Sequence, residues 1–180
     1  MAMRLRVLIV SFSLMLLLSG GYIYYVMSQG NFHVITEGEA YRSAQLDRDE
    51  LEYYVRRYNI RSILNLRGQN PDSDWYREEL TVSVTNRIKH YDIALSSTRE
   101  PTENEVKQLT KIFREAPRPI LIHCQAGADR SGVVAAMWKV FVDQESKSEA
   151  EKQLSIFYGH VPLGGRDAMD NFFKKWQPSN

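Results

Sequence analysis

The chain has 180 residues, 43% of them hydrophobic and 25% charged, with a formal net charge of +1. That size suits one domain with a small appendage, and the composition excludes a chain disordered throughout. Near-neutral charge argues against a nucleic-acid partner, and the lone cysteine, Cys124, excludes an internal disulfide.

The first element is apolar. No residue from Val7 to Met27 is charged, and Arg4 and Arg6 precede the run. About 20 apolar residues cross a bilayer core, so residues 1–30 read as a signal-anchor or transmembrane segment. The membrane is then a partner, and residues 31–180 form a globular domain on the extracytoplasmic, periplasmic side. The other reading is a signal peptide with an apolar core from Val7 to Leu18, cleaved on export.

The stretch "VITEGEAYRSAQ" has two short apolar patches about a Glu-Gly turn, which predicts a hairpin. Asp47 caps a helix bearing Leu51, Tyr54, Val55 and Tyr58 at helical spacing, and Ile60 to Leu66 follows as a strand. Asp74 caps a second helix reaching about Leu80, and Ile88 to Leu95 reads as a strand. Thr102 and Glu105 form a capping box that opens a third helix ending before Pro117. "ILIHC" is a short, wholly apolar strand of the type buried in a parallel sheet. Ser131 to Val142 is a helix with a broad apolar face, and two more helices are expected at about Ser148–Tyr158 and Asp167–Trp176. Alternating strands and helices predict an α/β fold: a central, mainly parallel sheet flanked by helices on both sides. Sites in such sheets form at the carboxyl ends of strands, and Cys124 stands at one.

The segment "HCQAGADRSG" joins that strand to the helix. A loop in this position turns the N–H groups of Gln125, Ala126, Gly127, Ala128, Asp129 and Arg130 inward, and the helix adds its positive end. Gly127 permits backbone that a side chain would resist. Arg130 offers a planar fork for two phosphate oxygens. These surroundings favour a Cys124 thiolate. Nucleophile and oxyanion cradle therefore coincide, which predicts attack of sulfur on phosphorus and a phosphocysteine that water hydrolyses. Ser131 is placed to donate to the sulfur as it leaves.

His123-Cys124, five residues including Gly127, then Arg130-Ser131 resembles the signature of cysteine-dependent protein tyrosine and dual-specificity phosphatases. "YRSAQ" at Tyr41–Gln45 and "SILNLRG" at Ser62–Gly68 resemble the early part of compact bacterial and fungal members. The resemblance spans roughly Val34 to Trp176, and it implies that residues 31–180 are a phosphatase catalytic domain. The implied activity is hydrolysis of phosphotyrosine, and also phosphoserine or phosphothreonine, in a phosphorylated protein substrate. The alternatives are an inositol phosphate or phosphoinositide phosphatase and a phosphate-binding pseudophosphatase. Relatives with highly anionic substrates tend to carry lysines in the loop, and none stands here.

The family takes its general acid from a mobile loop about 30 residues before the cysteine. Asp92 fits that spacing, but it falls early in the strand Ile88–Leu95, roughly 13 Å short of its end at strand rise. The following loop "SSTREP" offers Glu100, so the two carboxylates stand level; Asp129, Asp72 and Asp74 are further candidates. Asp129 more readily shapes the loop or faces substrate. His123 is expected to order the loop through backbone hydrogen bonds. Asn65 and Arg67 lie at another strand end, bracing the neighbouring loop or touching substrate, and Gly164 to Asp167 form a turn before the last helix. His33, His90 and His160 lack metal-ligand spacing, so no metal and no cofactor is expected.

Overall fold

A computed structural model describes residues 2–28 and 30–178. The first helix, α1 (Ala2–Ser28), takes up the apolar segment. Several of its side chains lie outside the described residues, and among those described no helix is long and apolar enough to cross a membrane. The expected transmembrane or signal segment thus gains no support from the fold.

The hairpin forms as β1 (His33–Thr36) and β2 (Ala40–Ser43). Next come α2 (Arg48–Tyr58), β3 (Ser62–Asn65), α3 (Asp74–Thr85), β4 (Lys89–Asp92), α4 (Glu103–Glu115), β5 (Ile120–His123) and α5 (Asp129–Phe141). Two of the three expected caps are present: Asp47 with Glu50 opens α2, and Thr102 with Glu105 opens α4, each a reciprocal box that satisfies two orphan N–H groups. Asp74 is instead the first residue of α3, which runs on to Thr85 and has Ser73 at its N-cap without a side-chain bond.

The sheet order is β1-β2-β5-β3-β4, parallel except for β1 at the edge. Residues of each central strand alternate between two cores. Leu64, Ile120 and Ile122 pack with Leu109 and Phe113 of α4 and Val133 to Trp138 of α5. Ile63 and Leu121 pack with Leu51 and Val55 of α2 and Val82 of α3. Burial on both faces is why "ILIH" is wholly apolar. The register sets Ser43, His123, Asn65 and Asp92 side by side along one carboxyl edge.

Two elements differ from expectation. The strand taken as Ile88–Leu95 ends at Asp92, after which the chain bends and Ala94 bridges antiparallel to Arg67. The helix expected over Ser148–Tyr158 is broken into α6 (Lys147–Ala150) and two 3₁₀ turns, Glu151–Gln153 and Ile156–Tyr158. The physical reason for the break is a competing donor. The carbonyl of Gln153 accepts from buried Arg42 at 2.8 Å rather than from the next helical turn. The last helix, α7 (Ala168–Lys175), closes the larger core with Met169, Phe172 and Phe173.

Candidate active site

Cys124 leaves β5 at the carboxyl edge and is 2% exposed. From there to α5 the chain makes the loop foreseen from the sequence, and its backbone polarity is set from outside. The carbonyl of Gln125 accepts from the Gln45 N–H at 3.2 Å, and that of Ala126 from Asn31 Nδ2 at 2.9 Å. The carbonyls of Gly127 and Ala128 accept from Arg42 Nη2 at 2.9 and 3.0 Å. Among the described residues, the N–H groups of Gln125 to Ala128 donate to no protein acceptor. A carbonyl held outward turns the N–H of the following residue the other way, so the unpaired donors of Ala126, Gly127 and Ala128 face the inside of the loop. Gly127 and Ala128 are buried, and a buried N–H without a partner costs about 1–3 kcal/mol, a cost that an anion removes.

Gly127 has φ +68°, and a Cβ there would lie 2.5 Å from the Ala44 nitrogen and 2.7 Å from the Ser43 carbonyl carbon. The loop presses directly on the end of β2, so glycine is needed both for conformation and for approach. Ser131, the third residue of α5, puts its Oγ 3.6 Å from Cys124 Sγ. The thiol donates in this geometry, and a thiolate would instead accept a hydrogen bond from the hydroxyl. Arg130 Nη1 reaches the carbonyls of Leu66 and Leu95 over a long 3.4 Å, while its buried Nε lacks a partner. The guanidinium therefore keeps donors in reserve at the strand ends.

Arg42 was not singled out from the sequence. Its side chain is fully buried in the strand of the "YRSAQ" motif. Beyond the two loop carbonyls it donates to Gln153 O and Oε1, and its guanidinium stacks on Tyr158 with the carbon 4.4 Å from the ring centre. Burial pushes its pKa down to about 10, against the pull of Cys124, Tyr158 and Asp129. The cation props the loop from behind, where a lysine would lack the fork to hold both sides.

The expected role of His123 is corrected. It holds no loop backbone; its Nε2 lies 3.1 Å from Glu79 Oε2, a buried carboxylate on α3. Glu79 also meets His90 Nε2 at 2.8 Å and Gln45 Nε2 at 3.0 Å. Burial would raise the Glu79 carboxyl, but the charge and hydrogen bond of His123, with the hydrogen bonds of His90 and Gln45, hold it far below the usual range. Glu79 thereby braces His123, which precedes Cys124, and Gln45, which holds the loop.

Asp92 stands at the sheet edge rather than 13 Å short of it, because β4 ends there. Its carboxylate is already engaged, accepting from Asn65 Nδ2 and Tyr76 OH, both at 2.8 Å, with His90 Nδ1 at 3.4 Å. Burial raises its pKa, but the bonds from His90, Tyr76 and Asn65 lower it further, so it is held ionised. Glu100 lies on the exposed loop before α4 and pairs with Lys175 of α7 at 2.8 Å. That loop flanks the cradle: it begins after Leu95, whose carbonyl meets Arg130, and Thr98 faces Gly165. Asp72 and Asp74 are exposed at the start of α3, Asp74 pairing with Arg77. Asn65 braces its own strand end through Gly68 and Arg67 N. Arg67 lies flat on Trp75, 3.7 Å from the ring centre, and donates to Gln45 Oε1. Burial and neighbouring Arg130 both lower its pKa.

Residues 26–164 match the family model described as "DSP-PTPase phosphatase fused to NAD+ Kinase". The chain belongs to this dual-specificity phosphatase family. Two curated proteins are similar. Inositol diphosphatase SIW14 of Saccharomyces cerevisiae is 32% identical over 113 residues, covering 59% of this chain and 38% of that protein. Probable NAD kinase 2, chloroplastic, of Oryza sativa subsp. japonica is 22% identical over 109 residues, 59% of this chain and 11% of that protein. The chain thus spans well under half the length of the curated relatives it matches. Among solved structures, the catalytic core of the yeast PP-IP phosphatase SIW14 with citrate superposes with a TM-score of 0.65 at 25% identity, over 82% of this chain and 85% of that one. TpbA of P. aeruginosa, as a cysteine-to-serine variant in complex with phosphotyrosine, shares the fold with a TM-score of 0.59 at 18% identity, over 81% and 84%. Both the match and the fold are those of cysteine-dependent phosphatases.

Proposed function

We propose that the chain hydrolyses phosphate monoesters through a phosphocysteine, with phosphotyrosine of proteins as the leading substrate and phosphoserine and phosphothreonine beside it. The observation that carries this reading is the loop whose four carbonyls are tied outward around a buried cysteine. In the first step Cys124 sulfur attacks phosphorus in line, the P–O ester bond breaks as the P–S bond forms, and an acid protonates the departing oxygen. We assign that acid to Glu100, whose loop flanks the cradle while Asp92 is held ionised by three partners. The inward N–H groups and Arg130 carry the charge on the equatorial oxygens. Water then attacks phosphorus and gives a proton to the Glu100 carboxylate, the P–S bond breaks as the new P–O bond forms and phosphate departs, and the Ser131 hydroxyl supports the leaving sulfur. With Cys124 only 2% exposed, a phosphate that projects well clear of its parent group, as an aryl phosphate does, reaches the sulfur more readily than one on a short side chain, which is why phosphotyrosine leads.

A second substrate reading, an inositol phosphate, is favoured by Arg67. It has no carboxylate partner among the described residues, lies near Arg130, and suits a second phosphate on the same substrate. The name of the yeast relative agrees with it. Steady-state hydrolysis of a phosphotyrosine peptide, para-nitrophenyl phosphate and inositol polyphosphates decides between them. Cys124→Ser should abolish turnover and retain phosphate binding. Normal hydrolysis of para-nitrophenyl phosphate by that variant would refute the mechanism, and tight binding without turnover by the wild type would mean a pseudophosphatase.

We also infer that α1 anchors the chain in a membrane with the catalytic domain on the extracytoplasmic, periplasmic side, or that the domain is exported after signal cleavage. Support comes from its apolar run and the exposed Val7, Ile9, Val10, Phe12, Leu14, Met15 and Leu17. Carbonate extraction of a membrane fraction tests it, and recovery of uncleaved protein wholly in the supernatant would overturn it.

A further inference from the structure

His160 was set aside in the sequence as a histidine without metal spacing. It follows Gly159 in the segment between the second 3₁₀ turn and α7 and is 3% exposed. Its Nδ1 lies 2.7 Å from Asp129 Oδ1, and its Nε2 lies 2.8 Å from Asp170 Oδ2. Asp129 belongs to the phosphate loop and immediately precedes Arg130; Asp170 belongs to α7. A neutral imidazole has one N–H and can donate to one carboxylate only, so serving both requires the imidazolium.

We propose that His160 is a positioning residue of the phosphate loop: as an imidazolium bridging Asp129 and Asp170, it ties the loop to α7 and cancels the carboxylate charge that Asp129 would otherwise turn towards an incoming phosphate. This rests on the phosphatase reading of the loop. The other charged groups around the bridge are few. Arg166, from the turn before α7, puts its Nε 3.8 Å from Asp129 Oδ2 and is half exposed, and Arg42 acts on Asp129 from β2. Neither reaches Asp129 with a short hydrogen bond. Burial alone would push His160 below its ordinary 6.5, yet the hydrogen bonds and charges of Asp129 and Asp170 raise it above that value. As pH rises through that point, the ring loses a proton, one carboxylate loses its donor, and the loop loosens at its last turn.

The test uses the full chain and para-nitrophenyl phosphate. His160→Gln, whose amide nitrogen can donate to one carboxylate while its carbonyl can only accept, should lower kcat/KM by about tenfold to a hundredfold, chiefly through KM, and lose the alkaline limb expected of the wild type. Asp170→Asn, the gentler change, should move that limb to lower pH. His160 followed directly by NMR should titrate above 6.5 in the wild type and lower in Asp170→Asn. Inorganic phosphate should bind about tenfold more weakly to Cys124→Ser/His160→Gln than to Cys124→Ser. Those last two readouts need no turnover, so failure of the phosphatase reading would be seen separately, as an inactive wild type. A His160 ring that titrates at or below 6.5, or a His160→Gln pH profile parallel to wild type, overturns the proposal.

Discussion

Replacing Gly127 by alanine tests the cradle at its tightest point. The added Cβ would stand 2.5 Å from the Ala44 nitrogen and 2.9 Å from the Ser43 oxygen, and both belong to backbone at the end of a paired strand. Ordinary contact begins at 3.4 Å, so the loop must retreat by about 0.9 Å. The positive φ adds roughly 1–2 kcal/mol for any L side chain, and forced overpacking adds about 1–3 kcal/mol. A total of about 2–5 kcal/mol lowers Tm by about 4–20 °C in a chain of this size. The effect on chemistry should exceed the effect on stability. A misplacement near 1 Å costs about 10²-fold, because the N–H groups no longer converge on the oxygens they must hold. The assay is kcat/KM for para-nitrophenyl phosphate at a temperature where circular dichroism shows the variant folded. A folded Gly127→Ala enzyme within twofold of wild type would refute the argument that these N–H groups form the oxyanion site.

Three further outcomes follow from the same network. Arg42→Lys should lower Tm and cut kcat/KM at least tenfold, since one ammonium cannot serve Gln153 and two loop carbonyls; unchanged kinetics would show that the loop stands without the fork. Glu100→Gln should lose about 10²- to 10⁴-fold on substrates with poor leaving groups, whereas Asp92→Asn should chiefly lower Tm; the reverse ranking would move the acid to Asp92. His90 is lowered by burial, but Asp92 and Glu79 more than offset this and raise it to about 9. Its stabilisation is then full below the unfolded value of 6.5 and lost as pH rises through about 9. Urea unfolding should show a decline on the order of 2 kcal/mol across that window in wild type and little in His90→Gln. A flat wild-type curve would count against the pairing.

The early hairpin, the caps of α2 and α4, the parallel β5 strand and the position of Cys124 ahead of a helix were all legible in the residues. Each depends on neighbours close in the chain: a capping box spans four residues, and a strand buried on both faces shows as an unbroken apolar run. Less legible was what holds the loop. Arg42 meets Gly127 across 85 residues, Asn31 meets Ala126 across 95, and Glu79 meets His123 across 44. No periodicity links such partners. The extent of β4 and the break after α6 were misjudged for a related reason, since hydrogen bonds from distant residues displaced the local pattern. By itself the sequence determined the layered α/β order and the placing of a cysteine between a buried strand and a glycine loop that opens a helix, because local hydrogen bonding and hydrophobic spacing suffice for both. Only the tertiary structure decided which side chains turn the loop's N–H groups inward, which carboxylates are already engaged, and that a buried histidine joins the loop to the last helix. Those assignments depend on which donors and acceptors are left unpaired once the sheet has formed.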